Sequence, residues 1–415
     1  MPKNWKTYKL SEIVDQNRGI SYGIVQPGKH DLNGIPILKV NNLTNKSFDL
    51  KDLHFVSKKV ESKYKRTRLT GGEILLSLVG TLGEVFIVPE NLVGLNVVRA
   101  LAVIPVIDKY SPIWVEYYLK SPKIQDRLKQ IATTSVQATI NLKELREVEI
   151  LLPEIKEREA IASILSALDD KIENNLAMNK TLEEMTMALY KHWFVDFGPF
   201  KEGKFIDSEL GEIPEGWEVK ELGEIYNTTS GGTPSRKIME YYENGTIPWV
   251  KSKELYGNFI VQTEEKITEL GLSKSSAKLV PKKTVMLAMY GATVGESSIL
   301  SSEASCNQAI CAIMQKEISY VYIFQFLRFF KNDILNQAVG SAQQNISQAI
   351  IKNLKIIAPP SNLEVFEKIE LLYSKAEKNL IENQTLTQLR DTLLPKLISG
   401  EVRLKEFEEE ITAAL

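Results

Sequence analysis

The sequence predicts an α+β protein in which two similar mixed α/β domains are separated by two long antiparallel coiled-coil helices with pseudo-twofold symmetry. Three observations predict this fold class. A unit of roughly 205 residues occurs twice in the 415-residue chain. Each unit begins with short β-type runs, such as "GEILLSLVG" and "ALAVIPV", which are broken by Gly, Pro and Asn. Each unit ends in a long stretch with the spacing of a heptad seam.

The internal repeat is visible in matching segments that keep the same order in both units. "NWKTYKLSEIV" from Asn4 aligns with "GWEVKELGEIY" from Gly216, and "LLSLVGTLGE" from Leu75 aligns with "MLAMYGATVGE" from Met286. "NLAMNKTLEEM" from Asn175 returns as "NLIENQTLTQL". The repeat predicts domains at 1–153 and 213–359, spacer helices at 154–198 and 360–400, a linker at 199–212 and a tail at 401–415.

Both long stretches need a helical partner, because each carries one apolar stripe and is roughly 50 Å long at about 1.5 Å per residue. The predicted seam residues include Leu182, Met185, Leu386 and Leu389. Four asparagines interrupt the seam. If the helices pack antiparallel, Asn175 can face Asn383 and Asn179 can face Asn379, and such buried amides fix register at a cost in stability. The alternative is that these asparagines lie just off the seam in solvent.

Composition narrows the function classes. A net charge of −2 excludes a uniformly basic nucleic-acid coat, so any contact with DNA must come from local patches. The sequence contains no apolar run of about 20 residues, so no membrane span is predicted. Its first residues do not have the apolar core of a secretory signal. Cys306 and Cys311 indicate a reducing compartment, where they are expected to be buried thiols. These features favour a cytoplasmic protein.

The polar segments of the two domains favour contact with a bipartite DNA site, because dimeric readers place equivalent elements about 34 Å apart on DNA. Basic residues suit phosphate contacts, glycine turns allow close backbone approach, and Gln, Asn, Ser and Thr read base edges. A solvated surface and plain hairpin turns remain alternatives for the same residues. The candidate DNA-binding residues are Arg18, Tyr22, Lys39, Asn41, Lys65, Arg66, Arg68, Thr81, Arg99, Thr134, Ser135, Gln137, Thr139, Thr229, Ser230, Thr233, Arg236, Lys251, Lys253, Lys274, Tyr290, Thr293, Asn307, Gln308, Ser341, Gln343, Gln344 and Asn345.

Taken together, these segments resemble the DNA specificity (S) subunit of type I restriction–modification enzymes. The resemblance covers nearly the whole chain and rests on the order of "IPEGWEVKELGEI", "LAMYGATVGE", "CNQAICAI" and "QQNISQAIIKNLKI", followed by the helix ends "ALYKHWFVDFGPF" and "LRDTLLPKLISGEVRL". The first domain departs from the pattern, since "LNVVRALAVI" stands in place of the "CNQA" segment.

The resemblance implies a non-catalytic subunit that binds double-stranded DNA and assembles with two modification (methyltransferase) subunits and with restriction (translocase and nuclease) subunits. Each domain would read one half of a split, asymmetric target. The chain itself is expected to bind no cofactor and no metal. S-adenosylmethionine, ATP and Mg belong to the partner subunits, which carry out adenine methylation or cleavage.

Two other function classes were weighed against this one. A stand-alone nuclease is disfavoured because the sequence has no phosphate-binding loop and its three histidines, His30, His54 and His192, are far apart in the sequence. A coiled-coil adaptor that binds only protein fits the helices, but it does not account for the basic, Gln- and Asn-rich loops. The aromatic cluster at Trp193, Phe194 and Phe197 is expected to pack against the neighbouring domain, with a partner-docking patch as the alternative.

Overall fold

A computed structural model describes residues 4–44, 50–132, 138–337 and 345–404 of the chain. These residues form two compact units, and each long helix contributes to both. The first unit contains Met1–Asp170 and Leu386–Leu415, and the second contains Lys171–Thr385. Among the described residues, no helix is both long enough and apolar enough to cross a lipid bilayer.

The described residues of the first half of the chain, up to the end of the first long helix, form nine short strands and six α-helices. The strands are β1 (Lys6–Lys9), β2 (Ser21–Tyr22), β3 (Ile35–Leu38), β4 (His54–Val56), β5 (Ile74–Ser77), β6 (Val85–Ile87), β7 (Asn96–Val97), β8 (Leu101–Ile104) and β9 (Glu149–Leu152). The helices are α1 (Val40–Thr44), α2 (Lys58–Glu61), α3 (Pro112–Lys120), α4 (Pro122–Ile131), α5 (Leu142–Arg146) and α6 (Ile155–Tyr190).

The second half repeats this order with additions. Its strands are β10 (Phe205–Ser208), β11 (Gly211–Pro214), β12 (Glu218–Glu221), β13 (Tyr226–Ser230), β14 (Ile247–Val250), β15 (Phe259–Ile260), β16 (Glu265–Ile267), β17 (Val285–Ala288), β18 (Ser297–Leu300), β19 (Ser305–Cys306), β20 (Ile310–Gln315) and β21 (Lys355–Ala358). Its helices are α7 (Leu222–Ile225), α8 (Glu269–Ser273), α9 (Tyr320–Phe329), α10 (Lys331–Gln337), α11 (Gln348–Lys352) and α12 (Glu364–Ser399).

The sheets of the two halves follow one plan. The first half has a sheet of order β2-β8-β5-β6, and the second has β13-β20-β17-β18 with β15 added at the edge. The three-stranded sheets β4-β3-β7 and β16-β14-β19 correspond, as do the pairs β1-β9 and β12-β21. The predicted fold class, with its two similar mixed α/β domains and its long helices, is therefore confirmed at the level of strand order. One difference is that the stretch predicted as a linker, 199–212, contains most of the β10-β11 hairpin.

Each domain packs its core against its own part of the long helices. In the first unit Trp114 of α3 is fully buried and its indole Nε1 donates to the Leu151 carbonyl at 3.0 Å. Ile161 and Leu165 of α6 join the same apolar cluster. In the second unit Phe194 stacks on Phe366 with ring centroids 5.5 Å apart. Phe194 also lies 5.0 Å from Tyr322 of α9, and Phe197 lies 5.4 Å from Trp217, so the aromatic cluster after α6 packs against the neighbouring domain as expected.

The seam between the helices in the second unit is polar at its centre. Asn175 donates from Nδ2 to Asn383 Oδ1 at 2.8 Å, and Asn379 donates from Nδ2 to Asn179 Oδ1 at 2.8 Å. Asn179 and Asn383, which accept in these pairs, donate from their own Nδ2 to the backbone carbonyls of Ala376 and Ile172. All four asparagines are buried. The partners pair in reverse order along the two helices, so this segment is antiparallel, and these are the two pairs that an antiparallel alignment predicts.

Two of the predicted seam residues do not lie in the seam. Met185 is 47% exposed and Leu389 is 45% exposed. In the second unit the fully buried Thr186 lies next to Met185, and its hydroxyl donates to the Glu183 carbonyl at 2.8 Å. Tyr373 of α12 is also buried, and its hydroxyl accepts a hydrogen bond from Gln325 at 2.7 Å. A threonine can occupy a buried helix position because its hydroxyl bonds back to its own helix, and the apolar heptad pattern does not detect this.

The asparagine pair at Asn179 and Asn379 generates a stability prediction. Asn179→Leu removes the acceptor of the Asn379 amide and leaves that buried group unsatisfied, so we expect a loss of about 1–3 kcal/mol in the free energy of unfolding. The double variant with Asn379→Leu leaves no unsatisfied amide and should recover most of this loss. Urea-induced unfolding followed by circular dichroism measures both effects. Asn174→Leu, on the exposed side of α6, is the control and should change stability by less than about 0.5 kcal/mol. Losses that simply add in the double variant would contradict the prediction.

Candidate nucleic-acid interface

In both domains the loop after the first strand of the main sheet lies directly against the chain that follows the third strand of the smaller sheet. A Cβ atom added at Gly23 would lie 2.2 Å from the Val97 carbonyl oxygen, and one added at Gly231 would lie 2.2 Å from the Cys306 carbonyl oxygen. Only glycine permits this approach. The loop after β2 and the loop after β13 are thereby held beside the residues that follow β7 and β19.

A second shared feature is the glycine turn after β5 and β17, which is tied to the polar segment further along the chain. Gly80 and Gly291 both have left-handed φ values, of 82° and 86°. Ile140 donates from its backbone to the Leu78 carbonyl at 3.0 Å, and Ile346 donates to the Met289 carbonyl at 2.8 Å. Each turn is therefore adjacent to the end of a Gln/Ser/Thr-rich segment. Within those segments, Thr134, Ser135, Gln137, Ser341, Gln343 and Gln344 lie outside the described residues.

In the second unit these features bring several candidates into one polar surface, which we call the second-domain polar surface and define by Thr229, Thr233, Lys278, Tyr290 and Gln308. The Thr233 hydroxyl donates to Gln308 Oε1, and the Tyr290 hydroxyl donates to the Gln308 carbonyl. Lys278 donates from Nζ to Thr229 Oγ1 at 2.9 Å. The side chains of Thr233, Lys278 and Gln308 are exposed. This surface therefore offers a cation and several hydrogen-bonding groups to a ligand.

One residue of this region was missed by sequence reasoning. Gln348, the first residue of α11, accepts from Ser230 Oγ at 2.7 Å and donates to Thr228 Oγ1 at 3.2 Å. It holds the last strand residues of β13 in place. The sequence signal was its position directly after Ser347, whose hydroxyl caps α11 by accepting from the Ile350 backbone.

The first domain carries different side chains at the equivalent positions. Val98 donates to the Leu38 carbonyl at 3.0 Å, and Asn307 donates to the Val250 carbonyl at 2.9 Å, so Val98 corresponds to Asn307 and Arg99 to Gln308. Arg99 is exposed, and its guanidinium carbon lies 5.9 Å from the centre of the Tyr22 ring. The Tyr22 hydroxyl accepts from the Leu142 backbone at 3.2 Å.

Several basic candidates are held in ion pairs within their own domain. Arg18 binds Glu73 and donates to three further groups, on Arg66, Arg68 and Thr70. The other pairs are Arg68 with Glu61, Arg236 with Glu265, Lys251 with Glu264 and Glu265, and Lys253 with Glu264. These contacts lower the pKa of the partner carboxyls, and hydrogen bonds from Lys251 and Lys253 lower the pKa of Glu264 to about 2. Arg236 also lies over the rings of Tyr242 and Trp249, with distances of 4.4 and 5.1 Å. Such residues have a structural function that the charge pattern did not reveal.

The remaining candidates lie on the surface of their domains. In the described part of the chain, Lys65, Arg66 and Lys274 are exposed and make no ion pair with another described residue, so they are the side chains best placed for phosphate contacts. Lys39, Asn41, Thr81 and Asn345 are exposed, whereas Thr139, Ser230, Thr293 and Asn307 are half-buried. Thr139 forms an isolated β-bridge with Val79.

The described residues contain no group of three or more His, Cys, Asp or Glu side chains that could hold a metal ion. Two of the histidines are closer than their sequence separation suggested, since the rings of His30 and His54 lie 5.4 Å apart. Cys306 and Cys311 are free and buried, as expected, and burial raises the pKa of both thiols to about 12.

A family model described as the type I restriction modification DNA specificity domain matches residues 2–184 and again residues 214–388. The chain belongs to this family. Each match covers one domain together with part of the long helix that follows it, so the family model reproduces the internal repeat.

Proteins named as type I restriction enzyme specificity subunits match nearly the whole chain. The type I restriction enzyme MjaIX specificity subunit of Methanocaldococcus jannaschii is 30% identical over 420 residues, which cover 98% of this chain and 95% of the relative. The HindI specificity subunit of Haemophilus influenzae is 25% identical, over 96% of this chain and 100% of the relative. The crystal structure of the S subunit of a type I restriction–modification system from M. genitalium superposes with a TM-score of 0.61 at 18% identity, covering 95% of this chain and 96% of that one. That likeness shows that the fold is shared with the specificity family.

The ion pair between Arg18 and Glu73 generates a prediction that separates a structural arginine from a DNA-binding one. The Glu73 side chain is only 3% exposed. Burial alone would raise its pKa, but hydrogen bonds from Thr70 and Arg18 outweigh burial and lower it. Arg18→Met leaves the carboxylate buried without its cation, and we expect a loss of about 3 kcal/mol in the free energy of unfolding at pH 7.

The pH dependence of this loss has a definite sign. In the wild type the lowered pKa of Glu73 contributes stability above the ordinary carboxyl pKa, and that contribution disappears as the pH falls through the folded-state pKa. In the variant Glu73 is protonated more readily, so the difference between the two proteins should shrink from pH 7 to pH 4. Denaturant unfolding at both pH values measures it. Lys9→Met breaks an exposed pair with Glu147 and serves as the control, with an expected loss below about 1 kcal/mol. A difference independent of pH would contradict the prediction.

Proposed function

We propose that this chain is the DNA specificity subunit of a type I restriction–modification complex and that it reads a split, asymmetric DNA target with one half-site per domain. The observation that carries the proposal is that one strand plan occurs twice with different exposed side chains at equivalent positions. Arg99 in the first domain corresponds to Gln308 in the second. Two readers with one architecture and different polar groups suit two unlike half-sites.

The chemistry of these side chains supports base recognition. Arginine pairs in bidentate fashion with guanine O6 and N7, and glutamine pairs in the same way with adenine N6 and N7. In this proposal Arg99 and Gln308 therefore contact different bases. Lys65 and Arg66 in the first domain and Lys274 and Lys278 in the second would contact phosphates, which fix the register of each domain on the duplex without reading sequence.

The proposal gives the chain no catalytic step of its own. Two modification subunits would supply adenine methylation with S-adenosylmethionine, and restriction subunits would supply ATP- and Mg-dependent translocation and cleavage. The chain would bind none of these cofactors and would act in the cytoplasm. Its contribution to the reaction is binding energy that differs between DNA sequences.

The first test is to express the chain with its methyltransferase subunit and to map adenine methylation across a genome by single-molecule sequencing. We expect a split motif, made of two short unlike halves around a gap of constant length. A catalytically inactive methyltransferase variant expressed with the same chain is the control and should leave no motif. A short continuous motif would contradict recognition by two domains. Absence of methylation in a complex that has formed would favour an adaptor that binds only protein.

A second prediction assigns the halves of the motif to the domains. Gln308→Ala removes a base-reading group from the second domain only, so discrimination should fall by about 1–3 kcal/mol at one position of one half-site. Arg99→Ala should have the same effect in the other half-site. Methylation of a plasmid library with randomised half-sites measures both variants, and each variant is the matched control for the other. Relaxation of both half-sites by either single change would show that these residues do not read separate halves.

A further inference from the structure

The first unit contains a cavity of about 610 Å³ that is not part of the surfaces described above. It lies where β1, the turn Asp108–Tyr110 and the first turn of α6 meet. Four of its lining residues are basic and one is acidic. The basic residues are Lys6, Lys109, Lys156 and Arg158, and the acidic residue is Glu154. The cavity is therefore strongly positive in a chain whose net charge is −2.

Arg158 is the residue that makes this cavity unusual. Arg158 is only 6% exposed, and its guanidinium forms no ion pair with any described residue. Its Nη2 donates to the Lys109 carbonyl, whereas its Nε is buried without a hydrogen-bond partner. A guanidinium has five N–H donors, and a buried cation without a counter-charge is costly. Burial accordingly lowers the pKa of Arg158.

Two acids of α6 leave this arginine without an ion pair. The exposed Glu159 carboxylate raises the pKa of Arg158 by less than burial lowers it. Glu157 accepts from Arg403 Nε at 2.6 Å and from the Trp5 indole at 3.1 Å, so its carboxylate is already bound. On β1, Lys6 and Tyr8 share a face because side chains alternate along a strand, and both line the cavity. The start of α6 adds backbone N–H groups that have no partner within the helix. All these groups favour a negative ligand.

The repeat provides an internal comparison, because the second domain has the same elements without this charge. Lys6 pairs with Leu152 across β1-β9, as Glu218 pairs with Ala358 across β12-β21, so Glu218 stands where the first domain has Lys6. Ser111 and Ser319 are the equivalent N-caps of α3 and α9. Lys109 and Glu317 each lie two residues before their cap, so Glu317 stands where the first domain has Lys109. Lys220 stands where the first domain has Tyr8, and it is paired with Glu218. The fold therefore does not require Lys6 and Lys109, and these two positive charges are specific to the first domain.

We propose that this cavity binds a phosphate-class oxyanion, with Arg158 as its buried anchor and Lys6, Lys109 and Lys156 around the entrance. The phosphate group belongs either to a free phosphorylated molecule or to the backbone of bound DNA. Tyr8 and Tyr110 form one wall, with ring centroids 5.6 Å apart. Lys109 Nζ lies 4.7 Å from the centre of the Tyr110 ring. The assignment does not depend on which bases the two domains read.

The test is a calorimetric titration of the full chain with inorganic phosphate, at an ionic strength held constant with chloride. We expect saturable binding at one site per chain. Arg158→Met keeps the apolar stem of the side chain but removes its donors, and it should raise the Kd about tenfold or more. Lys6→Gln should raise the Kd by a smaller factor of about three. Lys9→Gln is the matched control, because Lys9 lies on the same strand but on its opposite face, and it should leave the Kd unchanged.

Further variants keep the result decisive if Arg158→Met does not fold. A double variant, Lys6→Glu with Lys109→Glu, gives these two exposed positions the charges that the second domain has. It should abolish phosphate binding and leave the circular dichroism spectrum unchanged. Loss of phosphate binding with unchanged DNA affinity assigns the site to a free ligand. A lower salt dependence of DNA binding in the same variant assigns it to a backbone phosphate. No saturable phosphate binding by the wild type, or equal binding by acetate, would overturn the proposal. Mapping of the methylated motif reports on the proposed function separately.

Discussion

The need to satisfy buried amides in the helix seam is the constraint on which the second unit depends. An amide in a closely packed seam must find its partners within the seam, because leaving it unsatisfied costs more than its hydrogen bond contributes. Asn175, Asn179, Asn379 and Asn383 meet this condition in one antiparallel alignment. A shift by one turn would separate both pairs and could bring only one asparagine of each helix opposite the other, so two buried amides would lose these partners. The register of α6 against α12 is therefore set by hydrogen bonds rather than by apolar contacts alone.

That register has consequences for the domains, since each domain is joined to the long helices by its own core. In the second unit Tyr190, Phe194 and Phe366 pack together with Tyr322 of α9. In the first unit Ile161 and Leu165 belong to the same apolar cluster as Trp114. A domain held by large aromatic and aliphatic contacts follows its helix segment as one body. In the second unit, fixing the helix register therefore also fixes the position of the domain core that is packed on the same helices.

Much of the fold could be predicted because the sequence contains an internal repeat. The repeat identified equivalent strands without any need to know their pairing, and the spacing of Asn175 and Asn179 matched that of Asn379 and Asn383. The seam was predicted less well. Heptad counting places Met185 in the seam because it is hydrophobic, whereas the structure buries Thr186, whose hydroxyl is satisfied by a hydrogen bond to its own helix. Polarity and loop position selected Thr233, Tyr290 and Gln308 as separate candidates, and only the structure shows that the first two donate to Gln308.

The paired arginines could not be recognised in the same way. Arg18 lies 55 residues from Glu73, and Arg236 lies well before Glu265 in the sequence, so their carboxylate partners become visible only when the sheets are formed. Exposure and charge in a sequence do not distinguish an arginine that binds phosphate from one that neutralises a buried carboxylate. Gln348 was missed for a related reason, because its partners Ser230 and Thr228 are more than a hundred residues away.

The pairing of the first and last strands of each domain also bears on how such a chain can change during evolution. Lys6 lies opposite Leu152, and Glu218 lies opposite Ala358, so each domain begins and ends at neighbouring points. A segment whose ends are adjacent can be replaced by a homologous segment of different length without moving the helix that follows it. Recombination between genes can then exchange one domain without changing the register that the four asparagines set between the long helices. The β1-β9 and β12-β21 pairs therefore mark the boundaries at which each domain can be replaced.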